Sequence, residues 1–196
     1  MRPLFILLIA VVAALLAIGG ARLYFAKPDD GGSGKALIGG PFTLVDQDGK
    51  TVSDRDFRGK LMFIYFGYTF CPDVCPTELQ TMTLALDELS ERERTRVQPL
   101  LITIDPERDT PAVLKEYMTN FHPAFRALTG SDEQVRGAVR AYRAYAAKAK
   151  ETAGSGDYLM DHSSFIYLMD GKGEYLTHFR PGQKETEIAK TIRSHL

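Results

Sequence analysis

Residues 60–68 read KLMFIYFGY, an almost unbroken apolar run. A run of that length and aromatic content is expected to form a central β-strand buried on both faces. Such a strand requires helices on each side of it, and the flanking sequence supplies them. PTELQTMTLALDEL places Leu79, Met82, Leu86 and Leu89 on one helical stripe, with Pro76 in the first turn, where its missing N–H costs nothing. QPLLITID reads as a second central strand. TPAVLKEYMTNF reads as a helix with Thr110 as N-cap, Pro111 at N1, and Leu114, Tyr117, Met118 and Phe121 on its apolar face.

The remaining elements follow from similar signals. FTLVDQDGKTVS has two short runs around Asp48-Gly49, the mark of a hairpin. FRALTG is a short strand. SDEQVRGAVRAYRAYAAK is a helix opened by a capping box, Ser131 with Gln134, with Tyr142 and Tyr145 at helical spacing as core residues. Residues 148–157 are a polar loop. SSFIYLMDGKGEYLTHF is a strand, a Gly-rich turn and a strand. KETEIAKTIRSHL is a closing helix carrying Ile188, Ile192 and Leu196. Strands alternating with helices define an α/β fold, a mostly parallel sheet covered on both faces and completed by an antiparallel hairpin.

Residues 1–26 differ in character. No charge occurs from Leu4 to Ala21, roughly 18 residues, close to the lower limit for crossing a bilayer. The segment is either a retained transmembrane anchor or a signal segment cleaved near Gly19 and Ala21. The length of its apolar run favours the anchor, because signal cores are shorter. The prefix is not Arg- and Ser-rich, so a bacterial inner membrane is the default location, with the following domain exported. Residues 27–40, KPDDGGSGKALIGG, form a flexible tether. Residues 41–196 are the folded domain. A formal net charge of −1 without a long basic run argues against a nucleic-acid partner.

The two cysteines, Cys71 and Cys75, lie just after the first buried strand, separated by Pro72, Asp73 and Val74. Two cysteines are too few for a disulfide framework. A staple closing so small a loop would constrain the unfolded chain little. The loop runs into a helix N-terminus, where the dipole and free N–H groups favour a thiolate. A Cys pair between a buried strand and its helix points to a thioredoxin-like arrangement. The third intervening residue loosens the loop, which helps a metal fit between the sulfurs. Disulfide chemistry and metal binding both stay open at this point.

His162 precedes the strand that is expected to start near Ser163, where thioredoxin-like folds place a residue facing the cysteine loop. Two sulfurs and an imidazole nitrogen form a soft set of low coordination number, which suits Cu(I). Zinc would want a fourth ligand. His122, His178 and His195 are expected to be structural.

FGYTFCPDVCPTEL, TIDPERDTP and YLMDHSSFIYL resemble the Sco (SenC/PrrC) family of membrane-anchored copper proteins, over about residues 37–196. The resemblance implies a thioredoxin-like mixed sheet flanked by helices. It implies copper, as Cu(I) or Cu(II), on Cys71, Cys75 and His162, with the two cysteines also forming a redox-active pair. It implies a metallochaperone that supports the Cu(A) centre of cytochrome c oxidase subunit II, fed by an upstream copper donor. It also implies a monomer with a cytoplasmic N-terminus and a periplasmic domain. A thiol-disulfide reductase that keeps the Cu(A) cysteines reduced, a redox or copper sensor, and a thiol peroxidase are the competing functions.

Neighbouring residues carry smaller expectations. Asp161 either orients His162 or is a solvated loop acid. Asp73 is a turn-former or touches copper or a partner. Met160 is core or surface filler, or a soft sulfur ligand close to His162. Arg108 with Asp109 form a pair organising the loop, and Tyr68 and Phe70 wall the site.

Overall fold

The computed structural model describes residues 38–149 and 158–196. The expected anchor (1–26), most of the tether (27–40) and nearly all of the polar loop (148–157) lie outside these residues. Strands β1 (Thr43–Asp46) and β2 (Thr51–Ser53) form the expected hairpin, with Leu44 opposite Val52. Its turn is organised by buried Asp46, whose Oδ1 accepts the amides of Asp48 and Lys50 at 3.0 and 2.9 Å. Gly49 takes a φ of +80°, which favours glycine at that point.

β3 (Leu61–Gly67) is buried at every position. Successive strand residues point to opposite faces, so both faces of this strand are covered. β4 (Val97–Thr103) pairs with it in parallel, and β5 (Arg126–Thr129) pairs in parallel with β4. β8 (Ile166–Met169) lies antiparallel on the other side of β3, and β9 (Tyr175–Phe179) is antiparallel to β8. The seven-stranded order is β2-β1-β5-β4-β3-β8-β9. The sheet is therefore mixed and not mostly parallel: parallel pairing is confined to β3, β4 and β5, because both hairpins join it antiparallel.

Five helices fill the connections among the described residues. α1 (Val74–Asp87) buries Leu79, Met82 and Leu86, and Leu89 is buried just beyond its end. α2 (Glu91–Arg94) is a single turn that the sequence reading did not separate, capped by Ser90 and Glu93. α3 (Pro111–Met118) begins at Thr110, whose hydroxyl accepts from the Val113 amide. α4 (Asp132–Ala141) starts at the Ser131–Gln134 capping box. α5 (Glu185–Arg193) buries Ile188 and Ile192 and lies against α1. Asp54–Phe57 adds a 3-10 turn.

α4 ends earlier than its sequence suggests. The chain turns at Arg143, with φ +52°, and the Ala144 amide bonds the Val139 carbonyl. β6 (Ala146–Lys148) then pairs antiparallel with β7 (Met160–His162) in a separate ribbon. Tyr142 is in the core, packed with Phe42, Phe66 and Tyr167. Tyr145 is 59% exposed and is not a core residue, since the helical spacing that linked it to Tyr142 breaks between them. His162 closes the ribbon β7, and the main-sheet strand starts at Ile166 rather than near Ser163.

Candidate metal centre

The cysteine loop leaves β3 at Gly67. A Cβ at that position would lie 2.7 Å from Cε1 of Tyr65 and 3.1 Å from the Cys75 sulfur, so only glycine lets the two approach. The loop is pinned next at Thr69. Its hydroxyl donates to Oδ1 of Asp109 at 2.6 Å and its amide to Oδ2 at 3.1 Å. Asp109 Oδ2 also accepts the Thr103 hydroxyl at 2.6 Å, joining the end of β4 to the start of the loop. Burial pushes the Asp109 carboxyl up from its ordinary value, against the pull of these hydrogen bonds.

Cys75 then falls in the first turn of α1, with Cys71 three residues before the helix begins. Both thiols are free and buried. The Cys71 sulfur accepts the Cys75 amide at 3.3 Å, so it uses one of the helix N-terminal donors that lack a partner within the helix. The Cys75 sulfur lies 3.4 Å from Nε2 of His162. Nδ1 of that ring faces the Ser163 carbonyl at 3.1 Å. A carbonyl only accepts, so Nδ1 donates its proton to it and the ring presents Nε2 to the sulfurs. The three donor atoms all lie within 4.8 Å of one another. The structure thus brings together the three residues singled out in the sequence.

The two thiols share their protons unequally. A hydrogen bond from Cys75 holds Cys71 far below an ordinary thiol, to about 4, with burial opposing. Cys75 is pushed up by giving its proton to Cys71 and by burial. Of the two, Cys71 is the sulfur that ionises first.

The surroundings sort the remaining expectations. Tyr65 and Tyr68 meet the His162 ring edge-to-face, at centroid distances of 6.1 and 5.9 Å. Tyr68 is buried and its hydroxyl accepts the Met160 amide at 3.1 Å, so it walls the site as expected. Phe70 is exposed and lies 4.5 Å below the Arg108 guanidinium, making it a rim residue rather than a wall. Arg108 and Asp109 both organise the loop, but not as a pair. Arg108 is salt-bridged to Asp105 and stacks 3.8 Å over Tyr158, whereas Asp109 serves the threonines. Asp161 is exposed, and the orienting partner of His162 is the Ser163 carbonyl instead. Asp73 occupies the N-cap position of α1 without a side-chain cap bond, and its carbonyl accepts the Thr77 hydroxyl, the behaviour of a turn residue.

His122 accepts the Ala124 amide and His178 meets the Tyr175 hydroxyl; both belong to local structure. His195 is exposed near the C-terminus. A cleft of about 420 Å³ opens beside β6, lined in part by Asp105, Glu107, Arg136, Lys148 and Met160, but by none of the three donor residues.

Two site residues escaped the sequence reading. Tyr65 is completely buried within β3, and its polar tip in an apolar run was the available signal. Glu78 is buried one turn after Cys75; its Oε1 accepts the Gly182 amide at 3.3 Å, and burial pushes its carboxyl up. Its signal was a carboxylate on the buried phase of an amphipathic helix.

A thioredoxin-like sheet with a dithiol at the end of its central strand, met by an imidazole from a side ribbon, defines a thioredoxin-like protein with a three-donor soft-metal site. The SCO1/SenC family pattern matches residues 30–196. The mitochondrial protein SCO2 of Saccharomyces cerevisiae is 37% identical over 198 residues, which cover 95% of this chain and 66% of the yeast protein. The chain thus spans just under two thirds of that relative. The structure of Bradyrhizobium japonicum ScoI with copper bound is 41% identical, with a TM-score of 0.75, and the match covers 81% of this chain and 99% of that one. BsSco, described as carrying a disulfide switch and as a member of the Sco family of cytochrome c oxidase assembly proteins, is 26% identical, with a TM-score of 0.64 and coverage of 82% and 96%. The chain belongs to the SCO1/SenC family.

Proposed function

We propose that this protein is a copper metallochaperone that carries copper on Cys71, Cys75 and His162 and supports assembly of the Cu(A) centre of cytochrome c oxidase. The observation that carries the reading is the convergence of two free thiols and one imidazole nitrogen within 4.8 Å. Two sulfurs and one nitrogen suit Cu(I), and a closed zinc site would call for a fourth ligand. The copper-bound Bradyrhizobium relative and the oxidase-assembly description of BsSco support the cargo and the destination. The copper arrives from an upstream donor and leaves for the Cu(A) domain of subunit II. The apolar segment from Leu4 to Ala21 supports a membrane-attached protein with a periplasmic domain. Among the described residues, no helix is long and apolar enough to cross a membrane.

A second activity is favoured by one observation: the Cys71 sulfur accepts the Cys75 amide at a helix N-terminus, a setting that favours the thiolate form that attacks disulfides. In that reaction the Cys71 sulfur attacks a partner disulfide and releases one partner thiol. Cys75 then displaces the second, leaving a Cys71–Cys75 disulfide and a reduced partner. Since that disulfide ties up both sulfur ligands, the redox state would gate copper binding.

Anaerobic titration of wild type, Cys71→Ser/Cys75→Ser and His162→Ala with Cu(I) and Cu(II) tests the reading. Wild type should take one equivalent of either ion, and the double serine variant neither. His162→Ala should lose at least about tenfold in Cu(II) affinity while keeping disulfide exchange. Equal affinity of His162→Ala and wild type for both ions would remove the three-donor site.

A further inference from the structure

Buried polar groups nearly always find partners, so those without one call for explanation. Among the described residues the buried side-chain atoms lacking a hydrogen bond are the Tyr65 hydroxyl, Glu78 Oε2, Arg108 Nη2 and the Tyr117 hydroxyl. Glu78 is one turn after Cys75, and Arg108 stacks over Phe70, next to Cys71. The Tyr65 ring edge and the Cys75 sulfur press on the same point above Gly67. The Tyr65 ring also meets His162 edge-on.

We propose that Tyr65 is a positioning residue for the copper site, its buried hydroxyl donating a hydrogen bond to the Cys75 sulfur when that sulfur serves as a metal ligand. The inference rests on the copper reading above. The Tyr65 hydroxyl makes no hydrogen bond beside the Cys75 thiol, and a thiol sulfur is a weak acceptor. A metal-bound thiolate sulfur is a far better one. The hydroxyl therefore gains its partner only on loading. A buried donor that is orphaned in one state and satisfied in the other shifts the balance towards the satisfied state. The same bond draws electron density from the sulfur and restrains it, setting where the Cys75 ligand points relative to His162.

The test uses the full-length chain and Tyr65→Phe, which removes one oxygen and keeps the ring. Metal-free Tyr65→Phe should unfold at the same or a higher denaturant concentration than wild type, because only an unpartnered group is lost. Its copper affinity should fall about tenfold. Its sulfur-to-Cu(II) charge-transfer band should move to longer wavelength, since a sulfur without the hydrogen bond gives up electrons more easily. A variant with wild-type affinity and an unshifted band overturns the inference. So does one destabilised equally with and without copper and with an unshifted band, because that marks a packing role alone. Wild type that takes up no copper overturns the copper reading and this inference with it, whereas wild type that loads normally beside an indistinguishable Tyr65→Phe overturns this inference alone.

Discussion

Asp109 shows how a single carboxylate sets the position of a site it does not touch. Its two oxygens accept three hydrogen bonds, from the Thr103 hydroxyl and from the hydroxyl and amide of Thr69. Removing it leaves three donors without an acceptor beside the core, each worth about 1 kcal/mol or more. Asp109→Ala should therefore lose about 2–3 kcal/mol in urea unfolding. It should also bind copper more weakly, because Thr69 begins the loop that carries Cys71. An unchanged unfolding midpoint would show that the threonines find other acceptors. Asp109 was legible in the sequence as a loop organiser but not through its partners. Adjacency made Arg108 the obvious companion, whereas a guanidinium on a long arm reached Asp105 and Tyr158 instead. The three converging residues, Cys71, Cys75 and His162, were legible because cysteine and histidine carry chemistry that few other side chains do. Tyr65 and Glu78 were not, because in a strand and a helix stripe a buried polar residue is read as background until its missing partners are seen.

The elements follow the same division between local and distant causes. β3, α1 and α3 were readable because their signals are local: an apolar run, a helical stripe, and Thr110 before Pro111. The β6–β7 ribbon was not, because its partners are separated by the loop and the helical pattern of α4 runs on past its actual end. The stop is a left-handed Arg143, at a place where glycine is the usual residue. That turn matters for the site, since it frees Ala146 to pair opposite His162 and so brings the imidazole to the cysteines. Arg143→Gly relieves the strain of a side chain at positive φ. It should raise thermal stability by about 0.5–1 kcal/mol, read as a higher unfolding midpoint, with copper affinity unchanged. A lower midpoint would mean that the arginine side chain contributes more than its backbone costs.

For the whole molecule, the thiol pair ties folding to pH. The folded pair keeps one proton, because Cys71 is held near 4 while Cys75 is pushed up. In the unfolded chain both thiols titrate at an ordinary value of about 8.5. Between about 4 and 8.5 the unfolded chain binds two protons and the folded chain one. Stability rises with pH wherever the unfolded state binds more protons, so it climbs across this window, by at most about 1.4 kcal/mol per pH unit. Above 8.5 the unfolded chain has lost both protons and the folded chain still holds that of Cys75, so the sign reverses and stability falls. The depressed Cys71 contributes the rising limb, which is lost as pH falls towards 4, and the raised Cys75 contributes the falling one. Denaturant unfolding of the reduced, chelator-treated protein at pH 5, 7, 8.5 and 10, minus the same series for Cys71→Ser/Cys75→Ser, isolates this contribution from the other titrating groups. The difference should peak near pH 8.5 and shrink on both sides. A difference that stays flat from pH 5 to 8.5 would mean that both thiols keep their protons in the folded protein, and that the Cys75 hydrogen bond and the helix N-terminus do not hold Cys71 as a thiolate.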